Sequence, residues 1–320
     1  MSAPRYAVVM TAPRLAPRAV ALLQAAGCDI HYTPPYPAPE MIAELVARVQ
    51  AHAILSRQGK VGAAVLDASR RLRVVARHGV GVDDVDLAAA QARGVLVTRA
   101  PGSNTVAVAE HTLALILALA KDLRPHAAAI AAGGWREGGT RVRDVAGMRL
   151  GLVGFGGIGR AVARLADAFG MTVAAFDPAV GVGSDLHALL AGSDVVSLHC
   201  PLDAATRRLI DAAALAAMPA GGLLVNTARG GIVDEAALLA ALDRGHLAGA
   251  ALDVFEDEPP PPEHPLRDHP RVIATPHVAG VTPDALDRMG VAAAECIVAA
   301  LCGGEVPPER IVADRIVAML

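Results

Sequence analysis

Short, nearly unbroken apolar runs recur along the chain and alternate with stretches whose apolar positions return at helical spacing. The first pattern reads as buried parallel strands and the second as amphipathic helices. Early in the chain, Tyr6–Met10, Asp29–Thr33, Ala53–Ser56, Leu72–Ala76 and Val95–Thr98 are predicted strands. Helices are predicted from about Pro17 to a stop at Gly27, near Glu40–Arg48, and up to Gly94. Pro101-Gly102-Ser103-Asn104 forms a turn able to cap a long Ala/Leu-rich helix opening near Thr105. Gly133-Gly134 breaks that pattern and Gly138-Gly139 breaks it again. A second series begins at Arg149, with strands Leu150–Val153, Thr172–Phe176, Val195–His199, Leu223–Asn226, Ala250–Val254 and Val272–Ala274. The last helix opens with Thr282 as N-cap and Pro283 at its first position, and ends at Gly303-Gly304. Strands alternating with helices indicate βαβ units, and the second series has the strands that a doubly wound dinucleotide fold needs.

Composition narrows the function classes. The 320 residues are 53% hydrophobic, enough for two cores, and 19% charged with a net charge of −3. That balance gives no basic field for nucleic acid or an anionic membrane, and 2% aromatics supply no base-stacking platform. The cysteines, Cys28, Cys200, Cys296 and Cys302, form no CxxC pair, so neither a zinc ribbon nor a redox dithiol is expected, and no metal. Met1 to Met10 lacks a long apolar stretch after a basic start, so a signal peptide is not expected and a cytoplasmic setting is. Val106–Ala120 is short for a membrane span and carries Glu110 and His111, which favours a buried helix or a dimer contact.

The strongest local signal is Gly154-Phe155-Gly156-Gly157-Ile158-Gly159, a GxGxxG placed after a strand and at the mouth of a helix predicted from about Arg160 to Phe169. Gly154 permits a tight turn, Gly156 lets the backbone approach a pyrophosphate, and Gly159 allows close helix–strand packing. The helix N-terminus offers free N–H groups to phosphate. Asp177 ends the next strand, 18 residues beyond Gly159, where a ribose-binding acid belongs. Its carboxylate suits the ribose hydroxyls of NAD and repels a 2′-phosphate, and Pro178-Ala179-Val180-Gly181 supplies no base to neutralise one.

A second constellation emerges at successive strand ends, where ligands of open α/β sheets bind. Thr227-Ala228-Arg229-Gly230 follows one strand, Asp253 to Glu258 the next, and Thr275-Pro276-His277 the last. A guanidinium fork can grip a carboxylate through two parallel hydrogen bonds. A histidine can hand a proton to a carbonyl oxygen, and a neighbouring carboxylate favours its charged form. Glu256, Asp257 and Glu258 are all candidates for that carboxylate; His78 is the rival acid/base, and Arg57 is a candidate for the variable end of a substrate.

With these motifs in one order, the chain resembles the NAD-dependent D-2-hydroxyacid dehydrogenases, the family of phosphoglycerate, glycerate/hydroxypyruvate and D-lactate dehydrogenases. Gly79-Val80-Gly81-Val82-Asp83, Val108-Ala109-Glu110-His111, His199-Cys200-Pro201-Leu202, Ala251-Leu252-Asp253-Val254-Phe255 and Pro276-His277 also carry the resemblance. It implies Arg229, Glu258 and His277 as catalytic residues, and Val80, Gly81 and Arg229 as substrate-binding. It implies an NAD site lined by Gly154, Gly156, Gly157, Ile158, Gly159, Asp177, Cys200, Pro201, Thr206, Thr227, Ala228, Arg229, Asp253, His277 and Gly280. The implied α/β architecture is discontinuous: a doubly wound parallel-sheet Rossmann cofactor domain over 101–282, and a smaller flavodoxin-like α/β substrate domain from 1–100 and 283–320. A small 2-hydroxy or 2-keto acid is the implied partner, with a homodimer and neither nucleic acid nor membrane.

Departures from the family pattern are local. The connection from Asp177 to the helix at Asp185 is short, which leaves the adenine edge more open, and no regulatory tail is expected beyond Leu320. A phosphite dehydrogenase retains the same Arg, Glu and His pattern and is one alternative. An NAD-sensing corepressor of this fold is another, although such proteins carry extra interaction tails. Formate dehydrogenases carry a glutamine in place of Glu258, which argues against them.

Overall fold

Two parallel sheets organise the protein, a computed structural model describing residues 6–135 and 142–312. The Gly138-Gly139 break lies outside those residues. The chain divides into one unit combining residues up to Asn104 with those from Thr282 onward, and a second unit spanning Thr105–Val281.

In the first unit the strands are β1 (Tyr6–Met10), β2 (Cys28–Tyr32), β3 (Ala53–Ser56), β4 (Val74–Arg77) and β5 (Leu96–Thr98). They pair in parallel in the order β2-β1-β3-β4-β5, the flavodoxin order. Alternation along each strand divides the core in two. Val9, Ile54, Val75 and Val97 face α2 (Pro39–Val49), α3 (Ala63–Asp67) and α4 (Leu87–Ala92). Val8, Met10, Leu55 and Val74 face α1 (Pro17–Ala25) and the helix Pro283–Cys302. The Thr282 hydroxyl caps that last helix by accepting from the Ala285 N–H, and Gly303 closes it in the left-handed conformation.

The second unit begins with α5 (Thr105–Ala120) and α6 (Leu123–Ala131). Its strands are β6 (Arg149–Val153), β7 (Thr172–Phe176), β8 (Val195–Leu198), β9 (Gly222–Asn226), β10 (Leu247–Leu252) and β11 (Val272–Ala274). The helices between them are α7 (Gly157–Ala168), α8 (Leu186–Ala191), α9 (Ala212–Ala217) and α10 (Glu235–Asp243), and Pro283–Cys302 is then α11. One face, with Leu150, Leu152 and Val225, packs on α5 and α7; the other, with Val196, Leu224 and Leu252, packs on α8, α9 and α10.

The sheet order is β11-β10-β9-β8-β6-β7. A further strand outside β7 would complete the commoner dinucleotide-binding order, but Asp185 already caps α8 through the His187 and Ala188 N–H groups, so the short connection holds no such strand. β7 is therefore an edge strand and is only partly buried. Among the described residues, no helix is long and apolar enough to cross a membrane.

His78, just beyond β4, is 6% exposed. Burial, and after it the Arg57 guanidinium, pushes its imidazole down to about 3. The unfolded chain takes up this proton at a pH near 6.5 and the folded chain refuses it. Stability from this site is therefore complete above about 6.5 and is lost as pH falls from there toward 3. We expect His78→Asn to flatten the loss of urea resistance between about pH 6.5 and 4, by at most about 1.4 kcal/mol per pH unit. An unchanged slope would contradict the buried neutral ring.

Candidate active site

The six strands of the second unit end level. The register pairs Phe176 with Val153, Val153 with Leu198, Leu198 with Asn226, Asn226 with Leu252 and Leu252 with Ala274. Asp177, Gly154, His199, Thr227, Asp253 and Thr275 are therefore the first residues past one common row. The order of connection reverses around β6, between β7 and β8, the place where open sheets leave a crevice.

The glycine loop occupies that crevice. Gly154 has φ +98°, and a Cβ on it would stand 2.5 Å from the Cys200 nitrogen. A Cβ on Gly159 would strike the Gly154 carbonyl oxygen. At Gly156 the direction a side chain would take is open, with no atom within 4 Å. No side chain caps α7, whose first turn contains Gly157, Ile158 and Gly159. Open space before uncapped amides fits a pyrophosphate. The Asp177 carboxylate accepts from the Phe155 N–H at 2.8 Å and the Ala179 N–H at 3.0 Å, which fixes it beside the loop with lone pairs to spare for ribose hydroxyls. Burial pushes the Cys200 thiol up to about 12, with Asp203 and Asp177 adding to the effect, so it stays neutral. Thr206 ties its own loop, donating to the Pro201 carbonyl at 2.7 Å.

At the other strand ends, Asn226 shapes the turn carrying Arg229. Its Nδ2 donates to the Arg229 carbonyl at 2.9 Å and its Oδ1 accepts from the Ala228 N–H at 3.0 Å. Gly230 lets this turn press on the next one, since a Cβ there would overlap the Phe255 carbonyl. The Thr227 hydroxyl meets that of Thr112 on α5 at 3.0 Å.

His277 Nδ1 donates to Glu258 Oε2 at 2.6 Å, and Glu258 Oε1 accepts from the Phe255 N–H at 3.1 Å. Glu256 is turned instead toward Arg207 and Arg208, at 3.7 Å from each. The His277 side chain is 49% exposed. Its backbone is left-handed at φ +52°, a costly conformation for a residue with a Cβ. Asp253 holds it there. The Asp253 carbonyl accepts from the His277 N–H at 2.8 Å. Its carboxylate accepts from the Thr275 hydroxyl at 2.6 Å, the Val278 N–H at 2.9 Å and the Ala279 N–H at 2.8 Å. Both carboxylate oxygens are thus engaged in the turn that Gly280 completes. The Thr275 hydroxyl in turn accepts from His111 Nε2 on α5 at 3.2 Å. Asn226, Thr275 and His111 are supports to which the sequence assigned no role; Asn226 and Thr275 adjoin candidate residues at strand ends, whereas His111 lies within α5 and only the fold brings it to Thr275.

Arg57, Val80 and Gly81 belong to the other unit. Arg77 holds the loop of Val80 and Gly81, donating to the Gly81 carbonyl at 2.8 Å while pairing with Asp84 at 2.7 Å. Arg57 follows β3, its N–H donating to the Thr11 hydroxyl at 2.8 Å, and burial lowers the pKa of its guanidinium. Among the described residues no cluster of His, Cys, Asp or Glu could hold a metal.

Residues 113–279 match the model of the D-isomer specific 2-hydroxyacid dehydrogenase NAD binding domain. The chain belongs to this family. A D-3-phosphoglycerate dehydrogenase 3 of Arabidopsis thaliana is 44% identical over 262 residues, covering 78% of this chain and 45% of its own length. A D-3-phosphoglycerate dehydrogenase of Mycobacterium bovis is 41% identical over 310 residues, covering 94% and 58%. The chain thus spans about half the length of these curated relatives. A solved protein of Thermus thermophilus superposes with a TM-score of 0.86 at 39% identity, covering 96% of this chain and 100% of that one. As a family member the chain carries an NAD-binding domain.

Replacing Asp253 with Ala leaves the buried Ala279 N–H and the partly buried Val278 N–H without their acceptor. We expect Asp253→Ala to cost about 3 kcal/mol or more of stability, read by urea unfolding. A cost under about 1 kcal/mol would show that the turn does not depend on this carboxylate.

Proposed function

We propose that the protein interconverts a small D-2-hydroxy acid and its 2-keto acid with NAD, using Arg229, Glu258 and His277. The observation that carries this reading is the 2.6 Å contact of Glu258 Oε2 with His277 Nδ1, which leaves Nε2 as the ring nitrogen for a substrate. NAD, when bound, accepts or supplies the hydride. In reduction His277 Nε2–H gives its proton to the keto oxygen; in oxidation the same nitrogen takes it back. Glu258 fixes the tautomer and stabilises the ring while it is positively charged. Arg229 grips the substrate carboxylate with its planar fork, leaving the carbonyl at the histidine. Asp177 binds the ribose and disfavours a 2′-phosphate. The family resemblance also supports a cytoplasmic setting and a homodimer, the latter tested by the molar mass in solution.

The experiment is steady-state oxidation of NADH across a panel of 2-keto acids. We expect turnover that falls at least about 10²-fold in His277→Ala while NADH binding is kept. Arg229→Lys keeps the charge but loses the fork, and its kcat/KM should also fall sharply. Near-normal turnover in Arg229→Ala or His277→Ala would contradict the assignment. NADH binding with no turnover of any keto acid would favour an NAD-sensing binding protein, and turnover of phosphite alone a phosphite dehydrogenase.

The cofactor preference is tested separately. We expect NAD to outperform NADP in kcat/KM and Asp177→Ala to weaken NAD and narrow the gap, because hydrogen bonds and repulsion go together. Equal kcat/KM for both cofactors in the parent protein would contradict the role given to Asp177.

A further inference from the structure

Glu235 is the first residue of α10, yet it does not cap the helix, since Asp234 does so by accepting from the Ala237 N–H at 3.0 Å. Its carboxylate faces a loop instead. Oε1 accepts from the Glu256 N–H at 2.9 Å, and Oε2 lies 3.0 Å from His264 Nε2. Both side chains are largely buried, at 16% and 17% exposure. The His264 ring stands edge-on to Phe255 with centroids 5.4 Å apart. Its Nδ1 is buried without a hydrogen-bond partner among the described residues. A bare lone pair is cheaper to bury than an N–H, so the ring proton belongs on Nε2, where it is donated to Glu235.

Glu256 and His264 bracket the loop that carries Glu258, so one carboxylate ties both ends of it. That carboxylate sits a few residues beyond the Arg229 turn, which itself packs through Gly230 against Phe255. We propose that Glu235, with His264 as its partner, is a positioning residue. It keeps the Glu258 carboxylate on His277 and in register with Arg229. The proposal rests on the acid/base reading of Glu258 and His277 given above.

The test is a double-mutant cycle with Glu235→Ala and Glu258→Gln, read in keto-acid reduction, in NADH affinity and in the imidazole N–H proton resonance of His277. We expect Glu235→Ala to lower kcat by about tenfold to a hundredfold with NADH affinity unchanged, as loss of alignment does. The double variant should be no slower than Glu258→Gln alone, because the two residues act through one contact. Glu235→Gln, which keeps an acceptor for Glu256, and His264→Gln, which keeps a donor for Glu235, should retain more activity than the corresponding Ala variants. The hydrogen-bonded Nδ1–H resonance should be present in the parent and lost in Glu235→Ala. The proposal is overturned if that resonance persists in Glu235→Ala, or if the losses from Glu235→Ala and Glu258→Gln multiply. Full turnover in Glu258→Gln would instead defeat the acid/base reading, while the resonance still reports on the Glu235 clamp.

Discussion

The Asp253 carboxylate is 1% exposed at the end of β10, and protein groups must replace the water it has lost. Two backbone N–H groups and one hydroxyl do so, all from the segment after β11. That requirement bends the segment into a turn in which His277 takes a left-handed backbone. The histidine therefore projects from a turn whose shape a buried charge dictates. The same demand reaches α5, because Thr275 shares its hydroxyl between Asp253 and His111. With Thr112 meeting Thr227, one helix supports two of the strand ends that present candidate residues.

A level row of strand ends makes this economy of support workable. Parallel pairing that is in register at the strand ends brings six loops out together, and small residues let them touch. Gly154 lies against the Cys200 backbone and Gly230 against Phe255, contacts that a Cβ would block. Close approach of main chains, more than any single side-chain pair, gives the site its shape.

Much of this was legible in the sequence. The strands Tyr6–Met10, Ala53–Ser56, Thr172–Phe176 and Val272–Ala274 have the predicted bounds, being apolar runs with clear breaks at both ends. The β2 and β4 bounds differ slightly, because Cys28 and Arg77 do not mark a boundary by type, and β10 runs Leu247–Leu252 where Ala250–Val254 is expected, leaving Asp253 just past its end. The long helix expected from Thr105 to the Gly133-Gly134 break is in fact two, α5 and α6, parted at Asp122, whose backbone is left-handed; α6 contains Pro125 and buries no residue. Helix α7 starts at Gly157 and not at Arg160, since the last loop glycines already turn helically. Motif spacing indicated where an arginine, an acid and a histidine would emerge. It could not choose between Glu256 and Glu258, whose difference lies in how the loop folds: one faces arginines and the other faces His277. Nor could it reveal Asp253 as the builder of a turn, or Glu235 as a tie across a loop. Those roles arise from hydrogen bonds between segments that only the tertiary fold brings together.

The central proposal is that these strand ends hold a 2-keto acid where NADH, when bound, can give it a hydride and His277 a proton. Its most direct measurement is the fate of deuterium from NADH carrying deuterium at both positions of the reactive nicotinamide carbon, followed by mass spectrometry and chiral separation of the product. The account predicts a D-2-hydroxy acid carrying one deuterium on C2. Label retained in the cofactor with every keto acid offered, or label delivered to the L product, would contradict it.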